Sequence, residues 1–190
     1  MRLYDRYGRG PHRVEFTLDM PAPDNTFIVE LAPVEKMPHS VHVFLDAVHH
    51  KFWHGKTFWL NAHHLLLASS RFQYALKEEG AWNSSIHPDD VHLTLSTSFS
   101  EYSQEYSHSS WTVGFAGRPG GPDFYINKHD NKHLHGPNRQ PHHLLEGDAD
   151  SCFGAVSAGF ETLQKVDAMA VNEETREIAQ PVGILKAVIL

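Results

Sequence analysis

The chain has 190 residues, 41% hydrophobic and 21% charged, which suits one ordinary domain with a buried core. Its formal charge of −7 with histidine neutral argues against nucleic acid as the main partner, because phosphate binding wants a basic surface. The longest apolar runs, 65–68 and 187–190, are far short of the roughly 20 residues of a membrane span, and residues 1–10 lack the apolar stretch of a secretory signal. The lone Cys152 excludes an internal disulfide framework. The unusual count is 16 histidines. Their ordinary pKa of about 6.5 makes the net charge sensitive to pH, and their nitrogens are metal ligands.

In chain order, residues 14–20 alternate, with Val14, Phe16, Leu18 and Met20 on one face, as in a half-buried strand. The turn Pro21-Ala22-Pro23-Asp24-Asn25 leads to a second strand at 26–31, making an opening hairpin. Pro38 suits the first turn of a helix, and Val41, Phe44, Leu45 and Val48 then form one apolar stripe. Residues 57–69 read as one or two strands. The region 71–110 is polar and Ser-rich, with convincing alternation only over 91–99. Strands are expected at 111–116 and 123–127, a polar His-rich loop over 129–150, a strand at 152–156, a short helix around Phe160, Leu163 and Val166, and a closing strand at 183–190. Many short strands, few helices and no βαβ alternation predict a closed or sandwiched antiparallel sheet.

Four segments, in order, resemble the cyclophilin family of peptidyl-prolyl isomerases. Val29-Glu30-Leu31 followed by Lys36-Met37-Pro38-His39-Ser40 and Phe44 is similar to the family's strand and Pro-x-Thr-x-x-Asn-Phe helix. Trp111-Thr112-Val113-Gly114-Phe115-Ala116 resembles Gly-x-Leu-Ser-Met-Ala, and Pro122-Asp123-Phe124-Tyr125-Ile126 resembles Ser-Gln-Phe-Phe-Ile. Cys152-Phe153-Gly154-Ala155-Val156 with Gly159-Phe160 resembles Val-Phe-Gly-x-Val and Gly-Phe. The resemblance implies a mainly β fold, a closed eight-stranded antiparallel barrel capped by two helices. It spans residues 1–190 as a single domain, with 1–12 as an N-terminal extension. Asn61-Ala62-His63-His64 and residues 118–127 also look like a divergent cyclophilin-like branch of algae and related microbial eukaryotes, whose motif runs Arg-Asn-Ala-Gly-His.

The catalytic segment departs from the family pattern of Phe-His-Arg, two residues, Pro-x-Phe-Met and a glutamine. Laid on Phe58, this chain has Trp59 for the histidine, Leu60 for the arginine, Leu65 for the phenylalanine and Ala68 for the glutamine. Tyr125 keeps an aromatic floor for a proline ring, Asp123 replaces the groove glutamine, and Asp150 lies near the position where the family has a groove histidine. The family's Gly-Thr-Gly-Gly stretch is absent, as is its tryptophan near Leu144-Leu145. Prolyl bonds rotate over a barrier of about 18–20 kcal/mol set by amide resonance. The resemblance assigns to the arginine the donation that weakens this resonance, and leucine cannot donate. The expectation is a peptide groove formed by Leu60, Leu65, Ala68, Asp123, Tyr125 and Asp150, for a proline-containing peptide or protein, with weak or absent isomerase activity.

The histidines offer an alternative. His49, His50 and His54 follow the first helix, His63 and His64 lie in the groove segment, and His129, His133, His135, His142 and His143 fill the loop after 123–127. The second and third groups could converge, and His133 and His135 share a face if locally extended. The candidate metal set is His63, His64, His133 and His135, with copper as the first cofactor and zinc second, because imidazole sites without thiolate suit both. The competing reading makes each a surface or packing histidine. Glu101 and Glu105, spaced i, i+4, read as a solvated turn, Arg118 as a loop cation beside the groove, and Asp148 as a turn residue. The Gly-Gly-Pro loop at 120–122 lacks the Lys-Ser/Thr of a phosphate cradle.

Overall fold

The computed structural model describes residues 3–69, 97–117, 120–140 and 148–190. A short helix α1 (Leu3–Tyr7) precedes strands β1 (Arg13–Leu18) and β2 (Thr26–Leu31), then α2 (Pro38–His49), β3 (Thr57–Asn61) and β4 (Leu65–Ser69). After them come β5 (Thr112–Phe115), β6 (Phe124–Asn127), a helical turn α3 (Lys132–His135), β7 (Cys152–Ala158), α4 (Phe160–Asp167) and β8 (Glu177–Ile189). The eight strands close into a barrel in the order β1-β2-β7-β5-β6-β4-β3-β8, every pair antiparallel. Closure leaves no exposed sheet edge. No helix among the described residues is long and apolar enough to cross a membrane.

The alternation read in β1 is the alternation that buries Val14, Phe16 and Leu18 completely. The α2 stripe brings Val41, Phe44, Leu45 and Val48 into the same core. Phe44 joins the barrel's rings, with centroids 4.8 Å from Phe153, 5.6 Å from Phe124 and 6.2 Å from Phe16. Helix α4 adds Leu163 and Val166. It starts at Gly159, whose φ of +77° and close backbone neighbours exclude a side chain: a Cβ there would lie 2.2 Å from the Thr26 carbonyl oxygen. Gly159→Ala is therefore expected to cost about 2 kcal/mol, from left-handed strain and displacement of β2, read as a lower urea midpoint at unchanged m value.

Three expectations need correction. Strand β8 begins at Glu177 rather than 183, running through Pro181. Pairing with β3 jumps from Leu60↔Glu177 to Phe58↔Val182, so Pro181 sits in an irregular stretch where its missing N–H is tolerated. Within the expected loop 129–150 the chain makes the turn α3. Glu101, though part-exposed, is more than a turn-surface residue: its carboxylate accepts the N–H groups of His39 (3.2 Å) and Ser40 (2.8 Å), capping the open N-terminus of α2. Glu105 accepts from Lys36 Nζ at 2.6 Å beside it. Most of the predicted strand at 91–99, together with Arg118, His142, His143, Leu144 and Leu145, lies outside the described residues.

Candidate functional site: an outer barrel face under three imidazoles

Residues opposite one another in an antiparallel pair project to the same face. The registers Leu60↔Leu67, Leu67↔Tyr125 and Tyr125↔Gly114 therefore make one row across β3, β4, β6 and β5 on the outer face. Gly114 is required there because the Tyr125 ring lies over it: a Cβ would stand 2.7 Å from Tyr125 Cζ. On one side of this row Leu65 faces Asn127. On the other, Ser69 Oγ donates to Asp123 Oδ2 at 2.6 Å. Leu60, half-buried, is flanked by Leu67 and Glu177.

Ala68 does not belong to this face. It is 0% exposed, opposite Phe58 and Phe124, inside the barrel core. Leu65 and Ala68 are three apart in a regular strand and so face opposite sides, while the bulge at Trp59, where the register with β4 shifts between Phe58 and Leu60, turns Leu60 to the outer face. Ser69, not Ala68, is the polar partner of Asp123, and Leu67, missed in the sequence, is the apolar neighbour of Tyr125. Lys56 was missed too. It is buried with Nζ 5.2 Å from the Phe52 ring centroid, and burial lowers its pKa against the opposing pull of Asp123.

Tyr125 is only 3% exposed, because imidazoles lie on it. The His135 ring centroid is 5.0 Å and the His108 centroid 6.1 Å from that of Tyr125. Helix α3 presents His135 inward, and its Nδ1 stands 2.6 Å from Asp150 Oδ2, so the imidazole N–H donates to the carboxylate. Gln140 Nε2 lies 3.3 Å from the same nitrogen. Asp150 is thus the aspartate of the cluster, and its own N–H donates to the His135 carbonyl at 3.0 Å. His64 stacks on His135 with centroids 5.5 Å apart. Burial first, then the charge of His135, lowers its pKa.

Sequence reasoning also missed His108. It is 0% exposed, and neither ring nitrogen has a hydrogen-bond partner among the described residues; the same holds for His135 Nε2. Burial, with the charge of His135, brings the His108 pKa down to about 4. A buried polar atom left unsatisfied costs about 1–3 kcal/mol, so these nitrogens are an uncommon feature of a folded chain. A buried asparagine pair fixes the backbone around them. Asn131 donates its N–H to the His108 carbonyl (2.7 Å) and Nδ2 to the His64 carbonyl (2.8 Å) and to Asn127 Oδ1 (2.7 Å).

The four histidines expected to converge do so only in half. His64 and His135 meet, whereas His63 and His133 are exposed. Because residues 132–135 are helical rather than extended, residues two apart point to different sides. At the Asn61 end, Lys128 Nζ donates to Asn61 Oδ1 and Asp167 Oδ1, both at 2.7 Å, and Arg176 Nε donates to the Asn61 carbonyl at 3.1 Å. Both cations are held by protein partners beside the row rather than directed along it.

A family model described as cyclophilin type peptidyl-prolyl cis-trans isomerase matches residues 15–189, and the chain belongs to that family. Among solved structures, the barrel is similar to a Cryptosporidium parvum cyclophilin type peptidyl-prolyl cis-trans isomerase, with 14% identity, a TM-score of 0.65, and 94% of this chain and 97% of that one covered. The same parasite enzyme in the presence of the dipeptide Ala-Pro gives 15% identity, a TM-score of 0.63, and coverage of 94% and 98%. At these identities the likeness is one of fold. No curated protein matches the chain by sequence.

Proposed function

We propose that the chain is a cyclophilin-type protein that holds proline-containing segments on its outer barrel face and does little to speed their isomerisation. The observation that carries this reading is the row Leu60–Leu67–Tyr125: aliphatic and aromatic side chains where a proline ring can be buried, with leucine in the place the family gives to arginine. Burial and shape suffice for binding. Acceleration needs a donor that acts more strongly on the twisted amide than on the planar one, and aliphatic side chains supply none. The similar parasite enzyme was crystallised in the presence of Ala-Pro, which supports proline as the ligand class. Since His108 and His135 lie on Tyr125, a peptide reaches the ring only by displacing them, and this weakens binding. Two-dimensional NMR exchange spectroscopy on an Ala-Pro-containing peptide reads both properties at once. Saturable shifts of Leu60, Leu67 and Tyr125 signals report binding, and the exchange rate reports catalysis.

A further inference from the structure

Away from the proline face, a groove of about 480 Å³ runs between the C-terminal turn of α2 and the end of β8. Its floor is aliphatic, made by Val48 of α2 with Val188 and Ile189 of β8. Leu185, 37% exposed, adds an apolar rim. It is turned outward because the β1–β8 register passes from Thr17↔Lys186 to Leu18↔Ile184, which leaves Leu185 as the extra residue of a bulge. Lys51 and Lys186 line the same groove, and no carboxylate among the described residues does. His54 forms part of the wall, its Nε2 accepting the Ala187 N–H at 3.3 Å. Burial first, then the charges of Lys51 and Lys186, lower its pKa, so both ammonium groups act on one place. Leu60 pairs with Glu177 at the other end of β8, and the groove is therefore separate from the row Leu60–Leu67–Tyr125.

These two lysines run against the habit of the chain. Its formal charge is −7, and Lys36, Lys128, Lys132 and Lys165 each hold a carboxylate at 2.6–3.2 Å. Lys51 and Lys186, both exposed, make no ion pair with a described residue. Of the carboxylates nearby, Asp46 is held by Arg6 at 2.9 Å, and Glu15 lies opposite Val188 on β1, outside the lining. An aliphatic floor beside two uncompensated cations is complementary to a segment that carries aliphatic side chains and carboxylates together. We propose that this groove docks an acidic peptide segment of a protein partner, with aliphatic side chains interspersed among its carboxylates. Its aliphatic groups cover Val48, Val188 and Leu185, and its carboxylates pair with Lys51 and Lys186.

The test is fluorescence anisotropy of a labelled peptide, Glu-Leu-Glu-Asp-Leu-Leu-Glu-Asp, titrated with the full chain beside a counterpart carrying lysine for every Glu and Asp. Saturable binding of the acidic peptide alone is expected, weakening several-fold between about 50 mM and 500 mM salt as exposed charges are screened. The double reversal Lys51→Glu, Lys186→Glu, at exposed positions that leave folding intact, should weaken it by about tenfold or more. Leu185→Asn should weaken it by about threefold or more through lost apolar cover. Lys165→Glu, whose ammonium is engaged by Asp24 on another part of the surface, should bind the peptide as the parent does. The proposal is overturned if the acidic peptide fails to bind, if the basic one binds equally well, or if the double reversal leaves the affinity unchanged. Adsorption to phosphatidylserine vesicles, or self-association in sedimentation, without peptide binding would give the groove a different occupant and overturn it as well.

Discussion

Phe44→Ala is expected to lower the unfolding free energy by about 3–5 kcal/mol, the usual cost of removing a buried phenylalanine ring. No other side chain of α2 reaches so many rings: Phe16, Phe115, Phe124, Phe153 and Trp53 all have centroids within 6.3 Å of it. The loss combines the transferred apolar area with a cavity that this aromatic cage cannot close. For a chain of this size it corresponds to a fall in Tm of roughly 6–20 °C. Chemical denaturation followed by tryptophan fluorescence checks it, since Trp53 and Phe44 pack together. A loss below about 1 kcal/mol would mean that α2 is not seated in the barrel as described.

Acidification provides the second large effect. His108 has its pKa lowered from 6.5 to about 4, so between these values the unfolded chain binds a proton that the folded chain refuses. Stability from this group is fully present above pH 6.5 and is lost as pH falls towards 4, by about 3 kcal/mol in all. Around the ring, Asp150 and Asp130 pull the pKa up while His135 and burial push it down, and burial dominates. His54 and His64 are lowered by burial as well and act in the same direction. Unfolding free energies measured from pH 7 to pH 4 should fall in the parent and fall by clearly less in His108→Phe. Parallel curves would show that His108 is not held neutral in the fold.

The barrel was legible wherever one face is apolar and the pattern is local. Strand β2 falls at the predicted 26–31, and α2 begins at Pro38 as the stripe and the proline require. Legibility ended where parity or distance intervened. Ala68 was placed on the groove by laying the family pattern on Phe58, yet it stands three residues from Leu65 in the regular strand β4 and so faces the core. The start of β8 was missed because Pro181 argues against a strand unless an irregular stretch accommodates it. Glu101 caps a helix about 60 residues away, which no local pattern encodes. His108 sits among Ser107, Ser109 and Ser110, so its surroundings look solvent-facing. Only the fold, by laying this segment over Tyr125, buries it.

The proposed function rests on the row Leu60–Leu67–Tyr125, an apolar surface whose own side chains carry no cation to stabilise a twisted prolyl amide. The most direct test is the cis–trans exchange rate of an Ala-Pro-containing peptide in the presence of the full chain. The uncatalysed exchange takes tens to hundreds of seconds. The account predicts saturable binding with exchange within about tenfold of that background. Acceleration by about a thousandfold or more would contradict it, because an electrostatic donor of that effect would have to act from a residue other than Leu60.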